Sequence, residues 1–342
     1  MPHPNGIEPT NQKGERRGFV EPQIKGGRPA LDDLWILQGS LCDLKCKHCY
    51  TASSPTNDRL EQICFEELRP HLDAARSFGV RKVYFTGGEV FVNEDVLRGR
   101  SQTNDEFLAS LEYALSIAPT EILTNGRRYI RNHFEALGRL RHEFGDRLRL
   151  RITLESFVAE EHDAIRGRGT FAQTVETIES LSKLGFVPVV NAERPFLGAL
   201  SDGEIHDGFS ELFARRGIRV EVNLIENILE MGHQLVRIEQ GGGKASPEVF
   251  ITTNCFGILN KPAESLMCHY SRCIQKLDGQ LRYYPCPVIY DDERFDLGGT
   301  LEESFQPVYL GHKNCYDYCM KGKGATCRTQ PIAASANLTA AD

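Results

Sequence analysis

The chain has 342 residues, of which 40% are hydrophobic and 25% charged, and its formal charge at pH 7 is −7. It is long enough to bury a sizeable core, no stretch is long and apolar enough to cross a membrane, and the net negative charge disfavours nucleic acid as a partner. Its 11 cysteines are an odd number and no apolar signal segment begins the sequence, so a disulfide framework is disfavoured and we expect a cytoplasmic protein.

Residues 1–30 are rich in glycine, proline and charge and show little periodicity, which predicts a flexible N-terminal arm. Beyond them, short apolar or β-branched runs alternate with helical patterns. The runs lie at about 34–38, 82–86, 120–124, 148–154, 186–191 and 218–224. The helical patterns are clearest at 107–115, 134–144 and 171–184, where apolar residues recur every three or four positions. This alternation predicts βα units around a parallel sheet, and six strands rather than eight predict an open, partial barrel.

Three cysteines directly follow the first predicted strand, namely Cys42, Cys46 and Cys49. Their Cys-x3-Cys-x2-Cys spacing offers three thiolates and no fourth. Soft thiolates bind iron–sulfur clusters or zinc, and a four-iron cluster held by only three of them keeps one iron open to a ligand. A structural zinc site needs four protein ligands, so the triplet fits zinc poorly.

Small and polar residues end the next three predicted strands. They are, in chain order, Gly87, Gly88, Glu89, Thr124, Asn125, Glu155 and Ser156. A Gly-Gly pair after a strand is usually only a turn, but glycines also let the backbone approach a ligand closely, and Glu89 can accept a charge-assisted hydrogen bond. Functional residues in such folds lie at the carboxyl ends of the strands, where all of these residues are predicted.

Seven further cysteines lie beyond the predicted barrel, at Cys255, Cys268, Cys273, Cys286, Cys315, Cys319 and Cys327. One or two can be inert buried residues, but seven together indicate metal ligation. The segment from Cys273 to Cys286 predicts a β-hairpin that turns at Asp278-Gly279 and brings both thiols to one side. Cys315 and Cys319 are four residues apart, which places them on one face of a helical turn.

Together these motifs resemble those of the radical S-adenosylmethionine (radical SAM) enzymes, in which an aromatic ring usually precedes the third cysteine of the triplet, as His48 does here. The segment from Glu161 to Phe171 is also similar to a motif of the family. The resemblance covers roughly residues 34–327. It implies an α/β fold with a partial (βα)6 TIM-like barrel over 31–235 and a small cysteine-rich domain over 236–330, similar to the family's twitch and SPASM domains. A disordered tail is expected over 331–342.

The resemblance implies a 4Fe-4S cluster held by the triplet, with SAM bound to its open iron. It implies SAM contacts from His48, Tyr50, Gly87, Gly88, Glu89, Thr124, Asn125, Glu155, Ser156 and Arg166. In this scheme Glu89 faces the methionine ammonium of SAM, and Arg166 binds its carboxylate or holds the neighbouring loop. Glu155 stands where the family usually has an aspartate.

The late cysteines resemble the auxiliary-cluster extensions of the family, without the dense Cys-x2-Cys-x5-Cys-x3-Cys core of a full SPASM domain. The resemblance therefore implies at least one auxiliary 4Fe-4S cluster, of the twitch kind. We expect its ligands to be Cys273, Cys286, Cys315 and Cys319. Cys268 is the alternative to Cys273, and Cys327 or Cys255 could belong to a second cluster.

The activity implied by the resemblance is reductive cleavage of SAM to a 5′-deoxyadenosyl radical, which takes a hydrogen atom from a small molecule (a sugar, cyclitol or nucleoside) or from a peptide. The electron would come from a donor such as flavodoxin or ferredoxin. Two outcomes are open: a net oxidation in which the auxiliary cluster accepts an electron, or an epimerisation in which Cys327 or Cys268 donates a hydrogen atom. A third hypothesis, a non-catalytic iron–sulfur electron carrier or a zinc scaffold, does not explain Glu89, because a carrier has no need to bind an ammonium group. The sequence does not identify the substrate.

Overall fold

A nine-stranded sheet organises the chain in the computed structural model, which describes residues 7–321 and the strand Ile332–Ala333. The strands are β1 Phe19–Val20, β2 Ile24–Lys25, β3 Arg28–Pro29, β4 Asp33–Leu37, β5 Lys82–Thr86, β6 Thr120–Thr124, β7 Leu148–Thr153, β8 Val189–Glu193, β9 Glu221–Ile225, β10 Ser271–Leu277, β11 Gln280–Tyr284, β12 Val308–Tyr309 and β13 Ile332–Ala333. The sheet order is β11-β10-β4-β5-β6-β7-β8-β9-β13.

Twelve α-helical segments are assigned within the described residues. They are α1 Phe65–Ser77, α2 Glu94–Leu97, α3 Asp105–Ile117, α4 Arg128–Arg131, α5 Phe134–Phe144, α6 Ala159–Arg166, α7 Thr170–Lys183, α8 Asp202–Ala214, α9 Gly232–Gln240, α10 Cys255–Ile258, α11 Met267–Tyr270 and α12 Leu301–Ser304. Short 3-10 turns occur at Gly145–Arg147, Arg194–Leu197, Ala263–Ser265 and Glu293–Phe295, and Cys315–Met320 is a π-helical segment. None of the described helices is both long and apolar enough to cross a bilayer.

Strands β4 to β9 are parallel and neighbour one another in chain order, which confirms the predicted βα architecture. Their carboxyl ends therefore meet at one edge of the sheet. The fifth predicted run, 186–191, begins too early, since β8 starts at Val189. The residue before it is Pro188, which has no N–H to donate to a ladder.

The helices on the outside of the sheet carry the predicted periodic apolar faces. In α7 the side chains of Val175, Ile178 and Leu181 are all buried. Burial of one such side chain contributes roughly 1.5–3 kcal/mol to stability. Helices α3 and α5 likewise match the predicted patterns at 107–115 and 134–144.

The barrel is open, and the cysteine-rich region extends its sheet. The predicted hairpin forms β10 and β11, and β10 pairs in parallel with β4 at the edge of the barrel. At the other edge β13 pairs antiparallel with β9. The boundary predicted at residue 235 falls inside helix α9, so the division into a barrel over 31–235 and a separate domain over 236–330 stays a prediction.

The N-terminal segment is attached to the rest of the molecule over its described part, which corrects the prediction of a flexible arm for residues 7–30. Strand β1 pairs with β12, and Ile7 and Val20 are buried. The Arg17 guanidinium donates a hydrogen bond to the Leu310 carbonyl oxygen. Composition did not predict this packing because the segment contacts residues almost 300 positions later in the sequence. The tail predicted over 331–342 lies outside the described residues, except for the strand Ile332–Ala333.

Charged side chains on different strands of the barrel pair with one another. The buried Glu121 carboxylate pairs with both Lys82 and Arg151, and Arg149 pairs with Glu221 at 2.5 Å. Burial alone would raise the pKa of Glu121, but the Arg151 and Lys82 charges hold it below its usual value.

Candidate active site

A cavity of about 230 Å³ lies at the carboxyl ends of the parallel strands. All three cysteines of the Cys42/Cys46/Cys49 triplet line it. The opposite wall comes from the cysteine-rich region, through Pro287, Val288 and Tyr318. The stacked rings of Trp35 and Tyr84, with centroids 4.1 Å apart, lie on neighbouring strands, and Trp35 also lines the cavity.

The cysteine triplet forms a thiol cluster that opens into this cavity. Cys42 and Cys46 are buried, and Cys49 is partly buried. Backbone N–H groups point at the sulfurs: Leu44 N lies 3.4 Å from Cys42 Sγ, and Ser53 N lies 3.3 Å from Cys49 Sγ. Burial raises the pKa of Cys46 to about 11, so its thiolate depends on positive charge from a bound metal centre. Three ligands facing a cavity fit a cluster with one open iron.

The glycine pair after β5 has a structural reason that differs from the predicted one. A Cβ atom on Gly88 would lie 2.1 Å from the Leu41 carbonyl oxygen, and one on Gly87 would lie 2.6 Å from the Gly39 carbonyl oxygen. Gly87 also has a φ of +142°. Both glycines line the cavity, but the close approach that they permit is to the backbone just before Cys42. They set the position, against β5, of the loop that carries Cys42, Cys46 and Cys49, which we call the thiol loop.

Replacing Gly88 with alanine should therefore destabilise the protein. The new methyl group meets backbone on the thiol loop, which cannot move aside as a flexible side chain would. We expect the free energy of unfolding to fall by about 3 kcal/mol or more, measured by urea denaturation under anaerobic conditions.

Gly257→Ala is the matched control, because no atom lies within 4 Å of a Cβ at that helical position. Alanine there should leave stability unchanged or slightly raised. Equal stability of Gly88→Ala and wild type would refute the packing role of Gly88.

Glu89 is buried and turned toward the end of β6. Its carboxylate accepts hydrogen bonds from Thr124 Oγ1 at 2.7 Å and Asn125 N at 2.8 Å. Burial and the nearby Asp43 charge raise the pKa of Glu89 to about 7. Thr124 and Asn125 line the cavity, whereas Glu89 is not among the lining residues. The structure thus brings the three predicted residues together, and the contact of Glu89 with the SAM ammonium stays a prediction.

Asn125 links this network to the thiol loop. Its amide Nδ2 donates to Asp43 Oδ1 at 2.8 Å and lies 3.8 Å from Cys42 Sγ. Arg127 binds the second oxygen of Asp43 at 3.1 Å. The loop that carries Cys42 is therefore held in place from the ends of both β5 and β6.

A second polar network, around His48, closes another side of the cavity. His48 Nε2 lies 3.3 Å from a carboxylate oxygen of Glu155 and 3.3 Å from one of Glu193. Arg166 donates to the same Glu155 oxygen at 2.8 Å. His48, Arg166 and Glu193 line the cavity, while Glu155 lies behind them, fully buried.

The surroundings shift the pKa values of the two carboxylates of this network in opposite directions. Burial would raise the pKa of Glu155, but His48 and Arg166 hold it below its usual value. Burial and the charge of Glu155 raise the pKa of Glu193 well above its usual value. These shifts favour the ionised form of Glu155 and the protonated form of Glu193. The His48, Glu155 and Glu193 ligand atoms lie within 4.8 Å of one another, yet the Arg166 charge on Glu155 disfavours a metal cation there.

Tyr50 and Ser156, two of the predicted SAM contacts, have other hydrogen-bond partners. The Tyr50 hydroxyl donates to the Pro287 carbonyl oxygen at 3.0 Å, which ties the thiol loop to the cysteine-rich region, although the residue also lines the cavity. Ser156 Oγ donates to Glu161 and accepts from Val158 N at the start of α6. Ser156 is not among the residues that line the cavity.

Sequence reasoning missed Glu193, Arg151 and Tyr318, which all line the cavity. Glu193 ends β8, so the strand-end rule that singled out Glu155 would have found it if the strand had been predicted to reach residue 193. Arg151 lies in the middle of β7, where no motif in the sequence marks it as a site residue. Tyr318 reaches the cavity only through the tertiary placement of its π-helical segment.

Four late cysteines surround a second, small cavity of about 10 Å³. They are Cys268, Cys286, Cys315 and Cys319. The predicted ligand Cys273 is not one of them: it is fully buried in the middle of β10, between Trp35 on β4 and Tyr284 on β11, and its thiol faces the Ile274 carbonyl oxygen. Cys268, the stated alternative to Cys273, thus lies with the other three late thiols, whereas Cys273 does not, and the ligand set of the auxiliary cluster stays a prediction.

The thiols that the structure describes are not arranged as a tetrahedral zinc site. Tetrahedral zinc–thiolate geometry puts sulfurs about 3.8 Å apart, from bonds of about 2.3 Å. Among residues 7–321 neither group of cysteines brings three sulfurs within 4.8 Å of one another. No disulfide joins the cysteines that the structure describes.

The placement of the late cysteines also bears on hydrogen-atom donation. Cys268, one of the two predicted donors, lines the second cavity and not the first. Cys327, the other predicted donor, lies outside the described residues. Cys255, a candidate for a second cluster, lies beside Thr252 and lines neither cavity.

Comparisons with known proteins agree with this geometry. Residues 37–207, half of the chain, match the family described as the Radical SAM superfamily. The antilisterial bacteriocin subtilosin biosynthesis protein AlbA of Bacillus subtilis is 34% identical over 146 residues, which cover 42% of this chain and 29% of AlbA. The mycofactocin maturase MftC of Mycolicibacterium smegmatis is 24% identical over 285 residues, which cover 78% of this chain and 67% of MftC. The chain thus spans less than a third of the length of AlbA.

Solved structures share the fold. SuiB of Streptococcus suis matches with a TM-score of 0.55 at 14% identity, covering 86% of this chain and 73% of that one. The protein anSMEcpe, solved with bound AdoMet, matches with a TM-score of 0.52 at 16% identity, covering 85% of this chain and 83% of that one. The fold of this chain therefore also occurs in solved structures.

Proposed function

The chain belongs to the radical SAM superfamily, and on that basis we propose that it cleaves SAM reductively and oxidises a peptide side chain in the cavity between its two thiol sites. In this proposal Cys42, Cys46 and Cys49 hold the SAM-binding cluster, and Cys268, Cys286, Cys315 and Cys319 hold the auxiliary cluster. When bound, the first cluster supplies an electron that splits SAM into methionine and a 5′-deoxyadenosyl radical, and the auxiliary cluster supplies an electron acceptor.

The residues of the cavity wall position SAM and exclude water. Asn125 and Thr124 lie beside Cys42, where they can hold the amino acid end of SAM. Arg166 and Glu193 face the cavity from the His48 side, and their polar atoms suit the carboxylate and hydroxyl groups of SAM. Glu155 keeps His48 and Arg166 in place from behind.

One observation favours oxidation: Val288 lines both cavities. Pro287 and Val288 directly follow Cys286 in the sequence, and Tyr318 directly precedes Cys319. A single layer of residues therefore separates the substrate cavity from the auxiliary thiols. A substrate radical in the first cavity would lie within a short distance of an electron acceptor in the second.

The comparisons favour a peptide as the substrate. The names of AlbA and MftC, a bacteriocin biosynthesis protein and a maturase, and a SuiB structure bound to the precursor peptide SuiA support the same substrate class.

Epimerisation is the second candidate and has less support. It needs a free thiol close to the substrate, and within residues 7–321 the only cysteines that line the cavity are those of the triplet. An electron carrier without catalysis would not need a cavity of this kind beside the open side of the triplet.

The test uses anaerobically reconstituted protein, SAM and dithionite, with short peptides encoded next to the gene as candidate substrates. We expect 5′-deoxyadenosine to form and one peptide to lose two hydrogen atoms by mass spectrometry, without uptake of deuterium from heavy water. Deuterium on one carbon of a peptide of unchanged oxidation state would indicate epimerisation. Failure to form 5′-deoxyadenosine would refute the proposed activity.

A further inference from the structure

Arg272 is an arginine buried in the region of the late cysteines. Its side chain is 1% exposed and is the largest fully buried side chain in the described part of the chain. The guanidinium donates to the carbonyl oxygens of Ser304 at 2.9 Å, Cys268 at 2.7 Å and Ser271 at 2.5 Å. Its Nη2 atom is buried and has no hydrogen-bond partner among the described residues.

Within the described part of the chain, no carboxylate balances the charge of Arg272. No ion pair of Arg272 occurs within residues 7–321. The thiols of Cys268 and Cys286 are the groups there that are close enough to act on its charge once they are ionised as thiolates. Arg17, a guanidinium near the Cys315 thiol, differs because the Glu248 carboxylate lies 4.0 Å from it. Three carbonyl oxygens and the Phe305 ring, whose centroid lies 5.5 Å from the guanidinium carbon, solvate this cation only in part. A fully buried cation without a carboxylate partner is costly, so its presence beside two of the proposed ligand cysteines needs a reason.

We propose that Arg272 provides the counter-charge of the auxiliary cluster and sets its reduction potential. The inference stands on the proposed cluster at Cys268, Cys286, Cys315 and Cys319, and it deepens the proposed function of that site. Four thiolates around an iron–sulfur core give the site a net negative charge, which grows by one on reduction. A fixed cation in a water-poor interior stabilises the more negative, reduced state and so makes the cluster a better electron acceptor.

Arg272 is thus a positioning and tuning residue, which acts on the reaction through the cluster. A purely structural role, in which the guanidinium only ties three carbonyl groups together, predicts a different result. It would lower stability on substitution and leave the potential of the cluster unchanged. The reduction potential therefore separates the two roles.

The experiment measures the auxiliary cluster alone, in full-length reconstituted protein in which Cys42, Cys46 and Cys49 are alanine. The potential is followed by electron paramagnetic resonance during a redox titration, without SAM or substrate. In Arg272→Met the ratio of reduced to oxidised cluster at a fixed potential should fall at least about tenfold, a shift of about 59 mV for one electron. Arg272→Lys, which keeps the charge, should stay closer to wild type than Arg272→Met does.

Arg282→Met is the matched control, since Arg282 lies on the same hairpin but pairs with Asp296 at 2.7 Å. It should leave the potential unchanged. If Arg272→Met loses iron, Arg272→Gln, which keeps hydrogen-bond donors without charge, replaces it in the titration. If only Arg272→Lys retains iron, the cluster needs a positive charge at this position, which supports the proposal. If Arg272→Met, Arg272→Gln and Arg272→Lys all lose iron, the proposal is overturned.

An unchanged potential in an iron-replete neutral variant also overturns the proposal. Because the titration needs neither SAM cleavage nor a peptide, its outcome is independent of the proposed reaction. A shifted potential together with no peptide oxidation by the wild type would keep the role of Arg272 and refute the oxidation.

Discussion

Replacing Cys42, Cys46 and Cys49 together with alanine should abolish the formation of 5′-deoxyadenosine from SAM and lower the iron content from about eight to about four per chain. The three thiols are the cysteines that line the larger cavity within the described chain, and two of them are buried. No neighbouring thiol can replace them, because Cys268, Cys286, Cys315 and Cys319 surround the other cavity. The remaining iron should belong to the auxiliary site. The measurements are iron analysis of the anaerobically reconstituted protein and chromatographic detection of 5′-deoxyadenosine.

Cys64→Ala serves as the control for the triple substitution. Cys64 is exposed at the start of α1 and lines neither cavity, so its replacement should leave both the iron content and SAM cleavage as in wild type. A triple mutant that still makes 5′-deoxyadenosine would remove the basis of the proposed function. A triple mutant with no iron at all would instead contradict the independent auxiliary site.

The parts of the site that the sequence predicted are those encoded by local pattern. The triplet follows β4, Glu89 follows β5 and Glu155 follows β7, and parallel strands bring their carboxyl ends together whatever the details of packing. The six apolar runs predicted these strands because each carries its own periodic signal. The positions of Asn125 and Glu155 at one edge of the sheet therefore follow from register alone.

The parts of the site that the sequence did not predict depend on contacts between segments that are distant in the chain. Cys273 and Cys268 are only five residues apart, and which of them faces the other late thiols is decided by the pairing of β10 with β4. That pairing buries Cys273 between two strands and leaves Cys268, just before the strand, on the second cavity. The buried N-terminal segment, which reaches Val308–Tyr309, has the same kind of long-range cause.

The orientation of Glu89 and Ser156 shows a further limit of motif reasoning. A motif fixes which residue follows a strand, but the side-chain direction depends on its neighbours. The Glu89 carboxylate accepts hydrogen bonds from Thr124 and Asn125, and the Ser156 hydroxyl accepts one from Val158 N at the start of α6. Neither Glu89 nor Ser156 is among the residues that line the cavity. The residues that do line it on the far side, such as Tyr318, come from a region with no matching pattern.

The second large expected effect concerns the iron content after substitution of two of the ligands proposed for the auxiliary site. The double variant Cys268→Ala/Cys286→Ala should lower the iron content from about eight to about four per chain, because it removes two of the four thiols around the second cavity. The variant should still form 5′-deoxyadenosine, since the triplet is intact, but it should no longer oxidise the substrate. Iron analysis and the two product assays measure these outcomes.

The matched double variant is Cys255→Ala/Cys273→Ala, which also removes two late cysteines but neither of those on the second cavity. It should keep about eight irons per chain, and the truncation of the buried Cys273 should cost only stability, on the order of 1 kcal/mol. If this control lost four irons and Cys268→Ala/Cys286→Ala lost none, the ligand set expected from the sequence would be right and the assignment from the structure wrong. The physical reason for expecting the opposite is position: Cys273 lies on β10 with Trp35 and Tyr284 as its register partners, is fully buried, and does not line the cavity around which the other four thiols lie.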